Sequence, residues 1–321
     1  MRIGIIGLGT IGKVHKEVID SLSEDLVAIC DNNPNVLSKY SKIKGYLDYQ
    51  QMIDKENLDV VHICTPHYLH TEMILYALNK NLNVLCEKPL CIKMEDIPLI
   101  LEAEKNSLGK LGVCHQNRYN NVNMYLNKYL EDKSIISAHG EVIWCRRESY
   151  YAQAEWRGKV TTEGGGVLIN QALHTLDLMQ WFCGEPQSVD GVISRLLLSE
   201  KIEVEDTAML YCNGKTPFSF FATNTGGSDL PTEVKLYLSN GEYIVAYPDR
   251  LFINNKLVTQ ENMSVVLGKC CYGNGHEKLI LDFYDCIKNN KPFAIDGNEA
   301  CKVIKIILQI YRKFFKKGEQ L

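Results

Sequence analysis

A glycine-rich turn near the start of the chain constrains the fold more than any other feature. Residues 7–12 read Gly-Leu-Gly-Thr-Ile-Gly, between the apolar run Ile3–Gly7 and the amphipathic stretch Ile11–Leu22. A G-x-G-x-x-G turn that joins a strand to a helix is typical of a dinucleotide-binding βαβ unit, because the helix start offers backbone N–H groups to a pyrophosphate. Asp31 directly follows the next apolar run, nineteen positions after the last glycine, where a carboxylate accepts hydrogen bonds from a ribose.

Asp31 also bears on which dinucleotide binds. Its carboxylate would repel the 2′-phosphate of NADP, and no arginine lies nearby in the sequence to offset that charge. The sequence therefore predicts NAD as the cofactor, with NADP as the less favoured alternative. A glycine-rich turn without a ligand is the competing interpretation. The predicted cofactor contacts in this region are Gly7, Gly9, Thr10, Ile11, Gly12, Asp31 and Asn32.

Strand-like and helical patterns alternate through the first 115 or so residues. Further short apolar runs occur at Val60–Cys64, Asn83–Cys86 and Leu111–Cys114, and a helical pattern covers Thr71–Asn79. Near-continuous apolar strands separated by helices predict a parallel sheet that is covered on both faces. We therefore expect an α/β fold whose N-terminal domain, residues 1–118, is a Rossmann-type doubly wound parallel sheet.

The pattern changes beyond about Glu141, where the strands lengthen and alternate between apolar and polar residues. Val234–Leu238 and Tyr243–Tyr247 are two such strands, and Asn240-Gly241 between them is a strong signal for a two-residue hairpin. Long alternating strands joined by hairpins predict a mostly antiparallel sheet with one covered face.

The end of the chain combines one more turn with two helices. Asn254-Asn255 predicts a second tight turn, and helical patterns cover His276–Lys288 and Glu299–Lys316. We therefore expect residues 119–321 to form a C-terminal α+β domain with a large, mostly antiparallel sheet.

Composition and charge argue against several classes of function. The 321 residues carry a net charge of −4, and the densest basic stretch, at 312–317, is short and terminal, so a nucleic-acid partner is not expected. The first apolar segment is too short for a signal peptide and nothing elsewhere reaches membrane-spanning length, so we expect a cytoplasmic protein without a membrane partner. The twelve cysteines form no C-x-x-C pair and fall mostly in apolar runs, which predicts buried, reduced thiols.

Cys64, His67 and His70 lie close together after one predicted strand and suggest a metal site. However, no further carboxylate or thiolate completes a ligand set, and His70 is suited to opening the next helix. We therefore expect no metal.

A lysine after one of the strands is the first candidate for chemistry. Glu87-Lys88-Pro89 follows the run Asn83–Cys86, at the strand end where open α/β sheets bind ligands. The Lys88 ammonium could stabilise a developing alkoxide there, and a surface lysine in a turn is the alternative.

A histidine after a triple glycine is the second candidate. Gly164-Gly165-Gly166 precedes a predicted helix over Val167–Phe182, and the spacing places Asn170, His174 and Asp177 on one face of that helix. This polar line could face a substrate pocket, and a structural histidine in an amphipathic helix is the alternative.

Together these segments resemble the Gfo/Idh/MocA family of oxidoreductases over essentially the whole chain. The resemblance implies hydride transfer between a nicotinamide and a hydroxyl-bearing carbon of a sugar, nucleotide-sugar or cyclitol. The Glu-Lys-Pro step and the triple-glycine histidine segment are its most specific parts. The segments that carry it are the turn at 7–12, Thr65-Pro66-His67 to His70, Glu87-Lys88-Pro89, Gln116-Asn117-Arg118-Tyr119 and Gly164-Gly165-Gly166 with the helix that follows.

The resemblance also implies roles for individual residues. The family's lysine falls on Lys88, which would hydrogen-bond the reacting oxygen, and its catalytic histidine falls on His174, which would exchange the hydroxyl proton. The family commonly has aspartate four residues before this histidine, whereas this chain has Asn170. Asparagine can orient a substrate or His174 but cannot carry negative charge, and Asn170 is kept as the third catalytic candidate.

The remaining predicted contacts follow from the same resemblance. In relatives that share this chain's pattern, the Trp-Arg pair lies near the nicotinamide end of the cofactor. Packing roles for Tyr151 and His276 stay open as alternatives to substrate contacts. The further cofactor contacts are Thr65, Pro66, His67, His70, Glu87, Lys88, Gln116, Asn117, Trp156 and Arg157. The substrate contacts are Lys88, Arg118, Tyr151, Asn170, His174 and His276.

Oligomer state and two rival functions complete the expectations. The family's second domain carries an open-faced sheet that often pairs between subunits, which implies a homodimer or homotetramer. A non-catalytic dinucleotide- or sugar-binding regulator on the same fold would need neither Lys88 nor His174. An NAD-retaining lyase or glycosidase with transient oxidation would need a further acid/base group, which the sequence does not reveal convincingly.

Overall fold

The computed structural model describes residues 1–22, 24–198, 200–261 and 275–315. These residues divide into two compact units, the first made of 1–115 with 275–301 and the second of 116–261 with 302–315. The boundary near residue 115 lies where the sequence pattern changes. The segment 275–301 belongs to the first unit, which differs from the expected division into two continuous domains. A helical pattern marks an apolar face but does not indicate which core that face packs against.

Of the five helices whose positions were predicted, four begin and end within two residues of the prediction and the fifth is described below; the other described helices were not predicted. In chain order they are α1 (Thr10–Ser21), α2 (Pro34–Leu37), α3 (Tyr49–Lys55), α4 (His70–Asn79), α5 (Asp96–Asn106), α6 (Asn121–Tyr129), α7 (Glu148–Tyr151), α8 (Leu173–Cys183), α9 (Gly275–Lys288) and α10 (Gly297–Phe315). Short 3₁₀ turns cover Ser38–Tyr40, His67–Leu69 and Gln116–Tyr119.

The first unit is built on a parallel sheet with the strand order β3-β2-β1-β4-β5-β6. Its strands are β1 (Arg2–Ile6), β2 (Asp25–Cys30), β3 (Lys44–Tyr46), β4 (Val60–Ile63), β5 (Asn83–Cys86) and β6 (Leu111–Val113). Every residue of β4 is buried, as expected for a parallel strand that is covered on both faces. The predicted doubly wound parallel sheet is confirmed.

Helix α9 explains why the segment 275–301 joins this unit. It packs against α1, and Lys288 near its end pairs with Glu24 just before β2. One turn earlier on the same helix, the Tyr284 hydroxyl lies 2.9 Å from Nε2 of His62 on β4.

The second unit is built on an eight-stranded sheet with the order β14-β13-β12-β11-β7-β10-β9-β8. Strands β7 and β10 pair in parallel and the other neighbours pair antiparallel, so the predicted mostly antiparallel sheet is confirmed. The strands are β7 (Ile135–Ile143), β8 (Ser188–Ser194), β9 (Thr207–Asn213), β10 (Phe218–Thr223), β11 (Glu233–Leu238), β12 (Tyr243–Ala246), β13 (Arg250–Ile253) and β14 (Lys256–Gln260).

Both predicted turns join neighbouring strands of this sheet. Asn254 and Asn255 adopt φ angles of 49° and 63°, and Ile253 pairs directly with Lys256 across them. The turn at Asn240-Gly241 also closes a hairpin, with Gly241 at φ 84°, but the backbone bond from Leu238 N–H to the carbonyl of Glu242 leaves three residues in the loop instead of two.

One face of the eight-stranded sheet is covered and the other is exposed. Helix α8 packs on β7, β10 and β11, where Ala138, Gly140 and Val142 are buried. On the opposite face, which we call the open sheet face, the side chains of Val192, Met209, Tyr211 and Tyr237 are exposed.

Two further properties of the described residues bear on the sequence-based expectations. Ten of the twelve cysteines are described; all ten are free and all but Cys145 are buried, as predicted. None of the described helices has the length and apolar character needed to cross a bilayer.

Candidate active site

The glycine-rich turn lies at the point where the strand order of the parallel sheet reverses. It follows β1, whose two neighbours are β2 and β4, and the carboxyl ends of these strands flank the turn. In open α/β sheets this crevice is where ligands bind. The turns that carry Asp31, Thr65 and Lys88 follow β2, β4 and β5, so they lie along the same edge of the sheet.

The geometry of the turn fits a bound pyrophosphate. A Cβ at Gly12 would lie 1.9 Å from the carbonyl oxygen of Gly7, so only glycine lets α1 start this close to the strand. A Cβ at Gly9 would meet no described atom within 4 Å, so the turn is open on that side. The first turn of α1 carries neither an acidic residue nor a side-chain cap, which leaves its positive end available to an anion.

Asp31 is held beside this turn by backbone donors. Its carboxylate accepts hydrogen bonds from the N–H of Leu8 and of Asn33, both at 2.9 Å. Leu8 belongs to the glycine-rich turn, so Asp31 joins the ends of β1 and β2. The side chain remains half-buried and Asn32 is exposed, which suits contacts with the ribose of a dinucleotide.

His70 links the turn after β4 to the turn after β5. Its ring is fully buried, with Nε2 2.9 Å from the carbonyl of Thr65 and Nδ1 2.7 Å from the carbonyl of Pro89. Burial lowers the pKa of the imidazole. As predicted, the residue also opens a helix, α4. This geometry makes His70 a brace that positions the turn bearing Lys88.

Glu87 supports Lys88 from inside the unit. The Lys88 side chain is half-buried, and its backbone N–H donates to Oε2 of Glu87 at 3.2 Å. The other carboxylate oxygen lies 3.0 Å from Nε2 of His15 and 3.3 Å from Nε2 of His276. Burial favours the protonated carboxyl, but the hydrogen bonds from the two histidines outweigh it and hold the pKa of Glu87 well below its usual range. His276, predicted as a substrate contact, is thus buried against Glu87.

A chain of buried hydrogen bonds continues from Glu87 into the unit. Nδ1 of His15 lies 2.8 Å from Nδ1 of His62, and Nε2 of His62 lies 2.9 Å from the Tyr284 hydroxyl. Burial lowers the pKa of both histidines and raises that of Tyr284. Neutral rings satisfy every contact if Tyr284 donates to His62, His62 to His15 and His15 to Glu87. Ligand atoms of His15, Glu87 and His276 lie within 4.8 Å of one another, and hydrogen bonding accounts for this arrangement without a metal.

In the second unit the segment after the triple glycine differs from the prediction. Helix α8 begins at Leu173, six residues later than expected, so the prediction that Asn170 shares a helical face with His174 and Asp177 is wrong. Residues 167–172 form turns instead: the N–H of Asn170 donates to the carbonyl of Gly166 and that of Ala172 donates to the carbonyl of Val167. The Glu205 carboxylate accepts hydrogen bonds from the N–H of Gly166 and of Leu168 at the start of this segment.

Asn170 and His174 nevertheless stand out from their surroundings. Among residues 163–180 these two side chains are half-buried and all the others are buried. The side-chain nitrogen of Gln116 lies 3.3 Å from Nε2 of His174, so two of the predicted site residues meet within this unit. The arrangement leaves Asn170 and His174 as the accessible polar groups of the segment.

Asp177 and Arg118 form a buried ion pair. The Arg118 guanidinium donates to the two carboxylate oxygens of Asp177 at 2.7 and 2.6 Å and to Gln180 at 3.3 Å, and it lies over the Trp181 ring. Such a two-point bond orients the 3₁₀ turn that carries Gln116 against α8. This engagement favours a supporting role for Arg118.

The predicted tyrosine and Trp-Arg segments form a second polar cluster in this unit. The Arg157 guanidinium lies 4.2 Å from the centre of the Tyr150 ring and donates to the Tyr150 carbonyl at 3.0 Å. Tyr151 is buried, and its hydroxyl accepts from the Asn224 amide at 3.2 Å. Trp156 accepts a hydrogen bond from the Thr162 hydroxyl through its carbonyl.

Several polar groups of these clusters were missed by sequence reasoning. Glu163 is fully buried and accepts hydrogen bonds from the Asn170 amide and from the N–H of Gly158. Its signal was a lone acid directly before the triple glycine. His62 had a similar signal, since a polar side chain in a fully buried strand requires a hydrogen-bond partner. His15 and Tyr284 carried no comparable signal.

Two family models match the chain. Residues 1–115 match the model of an oxidoreductase family with an NAD-binding Rossmann fold, and residues 134–242 match the Gfo/Idh/MocA C-terminal domain.

Curated relatives match over part of their length. The chain is 26% identical to the myo-inositol 2-dehydrogenase of Thermotoga maritima over 63% of this chain and 60% of the relative. It is 25% identical to the levoglucosan dehydrogenase of Pseudarthrobacter phenanthrenivorans over 60% of this chain and 54% of the relative. These matches therefore span little more than half the length of either relative.

A solved structure is similar over nearly the whole chain. The WlbA dehydrogenase from Bordetella pertussis, crystallised in complex with NADH and UDP-GlcNAcA, superposes with a TM-score of 0.82 at 25% identity, covering 97% of this chain and 95% of that chain. Both family models match in the expected order, and the sheets described above underlie both matches. The chain therefore belongs to the Gfo/Idh/MocA family of oxidoreductases.

Proposed function

We propose that this protein is an NAD-dependent dehydrogenase or reductase that acts on CH–OH groups of a sugar, nucleotide-sugar or cyclitol. The observation that carries the proposal is the carboxyl edge of the parallel sheet, where the glycine-rich turn, Asp31 and Lys88 follow β1, β2 and β5. The substrates named for the inositol, levoglucosan and WlbA relatives support this substrate class. Asp31 supports NAD over NADP.

Lys88, His174 and Asn170 would each have a different role in the proposed reaction. Bound NAD would accept a hydride from the substrate carbon in oxidation and return it in reduction. Lys88 would donate a hydrogen bond to the reacting oxygen and stabilise the negative charge that develops on it. His174 would take the hydroxyl proton in oxidation and return it in reduction, while Asn170 would orient the substrate.

The remaining predicted contacts fall into two groups. We propose that Thr65, Pro66, His67, Gln116, Asn117, Trp156 and Arg157 contact the cofactor and that Tyr151 lies at the substrate pocket. Arg118, His70, His276 and Glu87 are engaged by buried partners, which favours roles in holding the site over direct ligand contacts.

We also propose that the protein works in the cytoplasm as a homodimer or homotetramer. The open sheet face supports an oligomer, because side chains such as Met209, 61% exposed, and Val192, 58% exposed, form an apolar surface that a second copy would cover. Sedimentation velocity at micromolar concentration is expected to give a dimer or tetramer mass, and a monomer would contradict this assignment.

A substrate panel tests the proposed reaction. Purified protein is mixed with NAD and with inositols, monosaccharides and UDP-linked sugars, and NADH formation is followed by absorbance. Net NADH with at least one member supports a dehydrogenase. Product formation without net NADH would instead indicate transient oxidation by an NAD-retaining lyase or glycosidase. Dinucleotide binding without turnover of any kind would indicate a regulator.

A further inference from the structure

Glu163 holds the side chain of Asn170. One oxygen of its buried carboxylate accepts from the Asn170 amide, and the other accepts from the backbone N–H of Gly158. The Asn170 nitrogen also donates to the Tyr150 hydroxyl at 3.2 Å. The two hydrogens of this amide therefore point at Glu163 and Tyr150, and the carbonyl end of Asn170 points away from them.

The surrounding contacts keep this arrangement rigid. The Tyr150 hydroxyl also accepts from the Gln171 amide at 2.9 Å, and the Gln171 carbonyl accepts from Asn224 at 3.0 Å. Gln171 and Asn224 are buried and Tyr150 and Asn170 are half-buried, so this network is largely removed from solvent. In such surroundings a charged acceptor polarises the amide that donates to it and makes the carbonyl at its other end a stronger acceptor.

We propose that Glu163 is a positioning residue for the dehydrogenase reaction: its carboxylate orients Asn170 and places a negative charge one hydrogen bond behind it, so that the two residues act on the substrate as a unit. The effect of Glu163 on catalysis rests on the proposed function. The orientation of Asn170 by Glu163 does not depend on the proposed function. Position 170 itself carries only an amide, and Glu163 supplies a carboxylate one hydrogen bond away from it.

A charge-swap series tests the catalytic consequence. Glu163→Gln is expected to lower kcat about tenfold, the effect of losing one hydrogen bond to a charged group, with the KM for NAD unchanged. Asn170→Asp alone should also lower kcat, because two carboxylates at hydrogen-bond distance must share a proton. The double variant Glu163→Gln/Asn170→Asp restores the charge on the other partner and should recover at least fivefold over Glu163→Gln. Full activity of Glu163→Gln, or no recovery in the double variant, would overturn the proposal.

Glu205→Gln is the matched control. Glu205 is another buried carboxylate of this unit, and it accepts hydrogen bonds from the backbone N–H groups of Gly166 and Leu168 and from the Tyr311 hydroxyl. Its variant is expected to change thermal stability and to gain nothing from Asn170→Asp. Equal recovery in the Glu205→Gln background would mean that the swap acts through the fold, which would contradict the role of Glu163.

A measurement without turnover separates this inference from the proposed function. In protein labelled with ¹⁵N-asparagine, the Asn170 side-chain resonance, identified by its loss in Asn170→Asp, should shift as Glu163 titrates near pH 7 and stay constant in Glu163→Gln. The charged and titratable groups around Glu163 are Arg157, Glu205, Tyr150 and Tyr151. A constant resonance in wild type would overturn the inference. The expected shift in a protein that turns over no panel substrate would leave the inference standing and reject the proposed function.

Discussion

Glu87 in the first unit and Glu163 in the second are both buried carboxylates that bond a residue proposed for chemistry, yet their pKa values move in opposite directions. Burial raises both. For Glu87 the hydrogen bonds from His15 and His276 outweigh burial, and the pKa falls well below its usual range. For Glu163 the donors are a peptide N–H and an amide, burial dominates, and the pKa rises to about 7.

The difference shows what offsets the desolvation of a buried charge. Two imidazole donors hydrogen-bond the carboxylate of Glu87, whereas Glu163 has only a peptide N–H and a side-chain amide as donors. Glu205 behaves like Glu163. Its hydrogen-bond donors are neutral, the effect of burial exceeds theirs, and its pKa also rises to about 7. The first unit thus keeps a fixed charge behind Lys88, and the second keeps carboxylates that respond to pH near neutrality.

The largest loss of activity should come from substituting Lys88 or His174, the residues proposed to stabilise charge and to move the proton. Lys88→Met and His174→Ala are each expected to lower kcat by at least ~100-fold, because each removes a group that stabilises charge or moves a proton in the transition state. NADH affinity, followed by fluorescence titration, should change little. Lys93→Met, an exposed lysine nearby, is the control and should retain activity. Normal turnover of both variants would reject the proposed site.

The next prediction compares the two carboxylates directly by their effect on stability. At pH 8, Glu87→Gln is expected to lower the free energy of unfolding by about 2–3 kcal/mol, because it leaves buried imidazoles without their charged acceptor. Glu163→Gln removes a charge that burial disfavours, but its amide nitrogen would face one of the two donors that the carboxylate oxygens accept from, so it should lower the free energy of unfolding by less than Glu87→Gln does. Chemical denaturation of the two variants and wild type measures both. Equal destabilisation by the two variants would mean that the charges of Glu87 and Glu163 contribute equally to the free energy of unfolding.

These particular residues show how far the sequence could predict the fold and the site. The apolar strands and the glycine-rich turn of the first unit are local patterns, and the structure agrees with them closely. The start of α8 could not be predicted, because the segment before it is held by Glu205, 39 positions after Gly166, and a contact so distant in sequence leaves no local pattern. The same holds for Glu163, whose partner Asn170 could be singled out only as a departure from a family pattern.

A third prediction concerns how stability depends on pH. The folded pKa of Glu163 is raised from 4.5 to about 7, so the folded protein binds more protons than the unfolded chain between these values, and stability falls as the pH rises through that window. From pH 6 to pH 8 the loss from this one group is roughly 1 kcal/mol. Glu163→Gln should remove that part of the slope in denaturation curves. Glu87 has the opposite sign: its contribution is present above pH 4.5 and is lost only as the pH falls toward its lower folded value.

Asp31 extends the comparison to a carboxylate that keeps access to solvent. Its hydrogen-bond donors, the N–H of Leu8 and of Asn33, are neutral like those of Glu163. The Asp31 side chain is only half-buried, however, so water can also solvate it. In the proposed function, this charge would favour ribose hydroxyls over a 2′-phosphate. Asp31→Ser removes that charge and should shift the NADP-to-NAD ratio of kcat/KM about tenfold toward NADP, the effect of about 1.4 kcal/mol. An unchanged ratio would mean that the choice between NAD and NADP does not depend on Asp31.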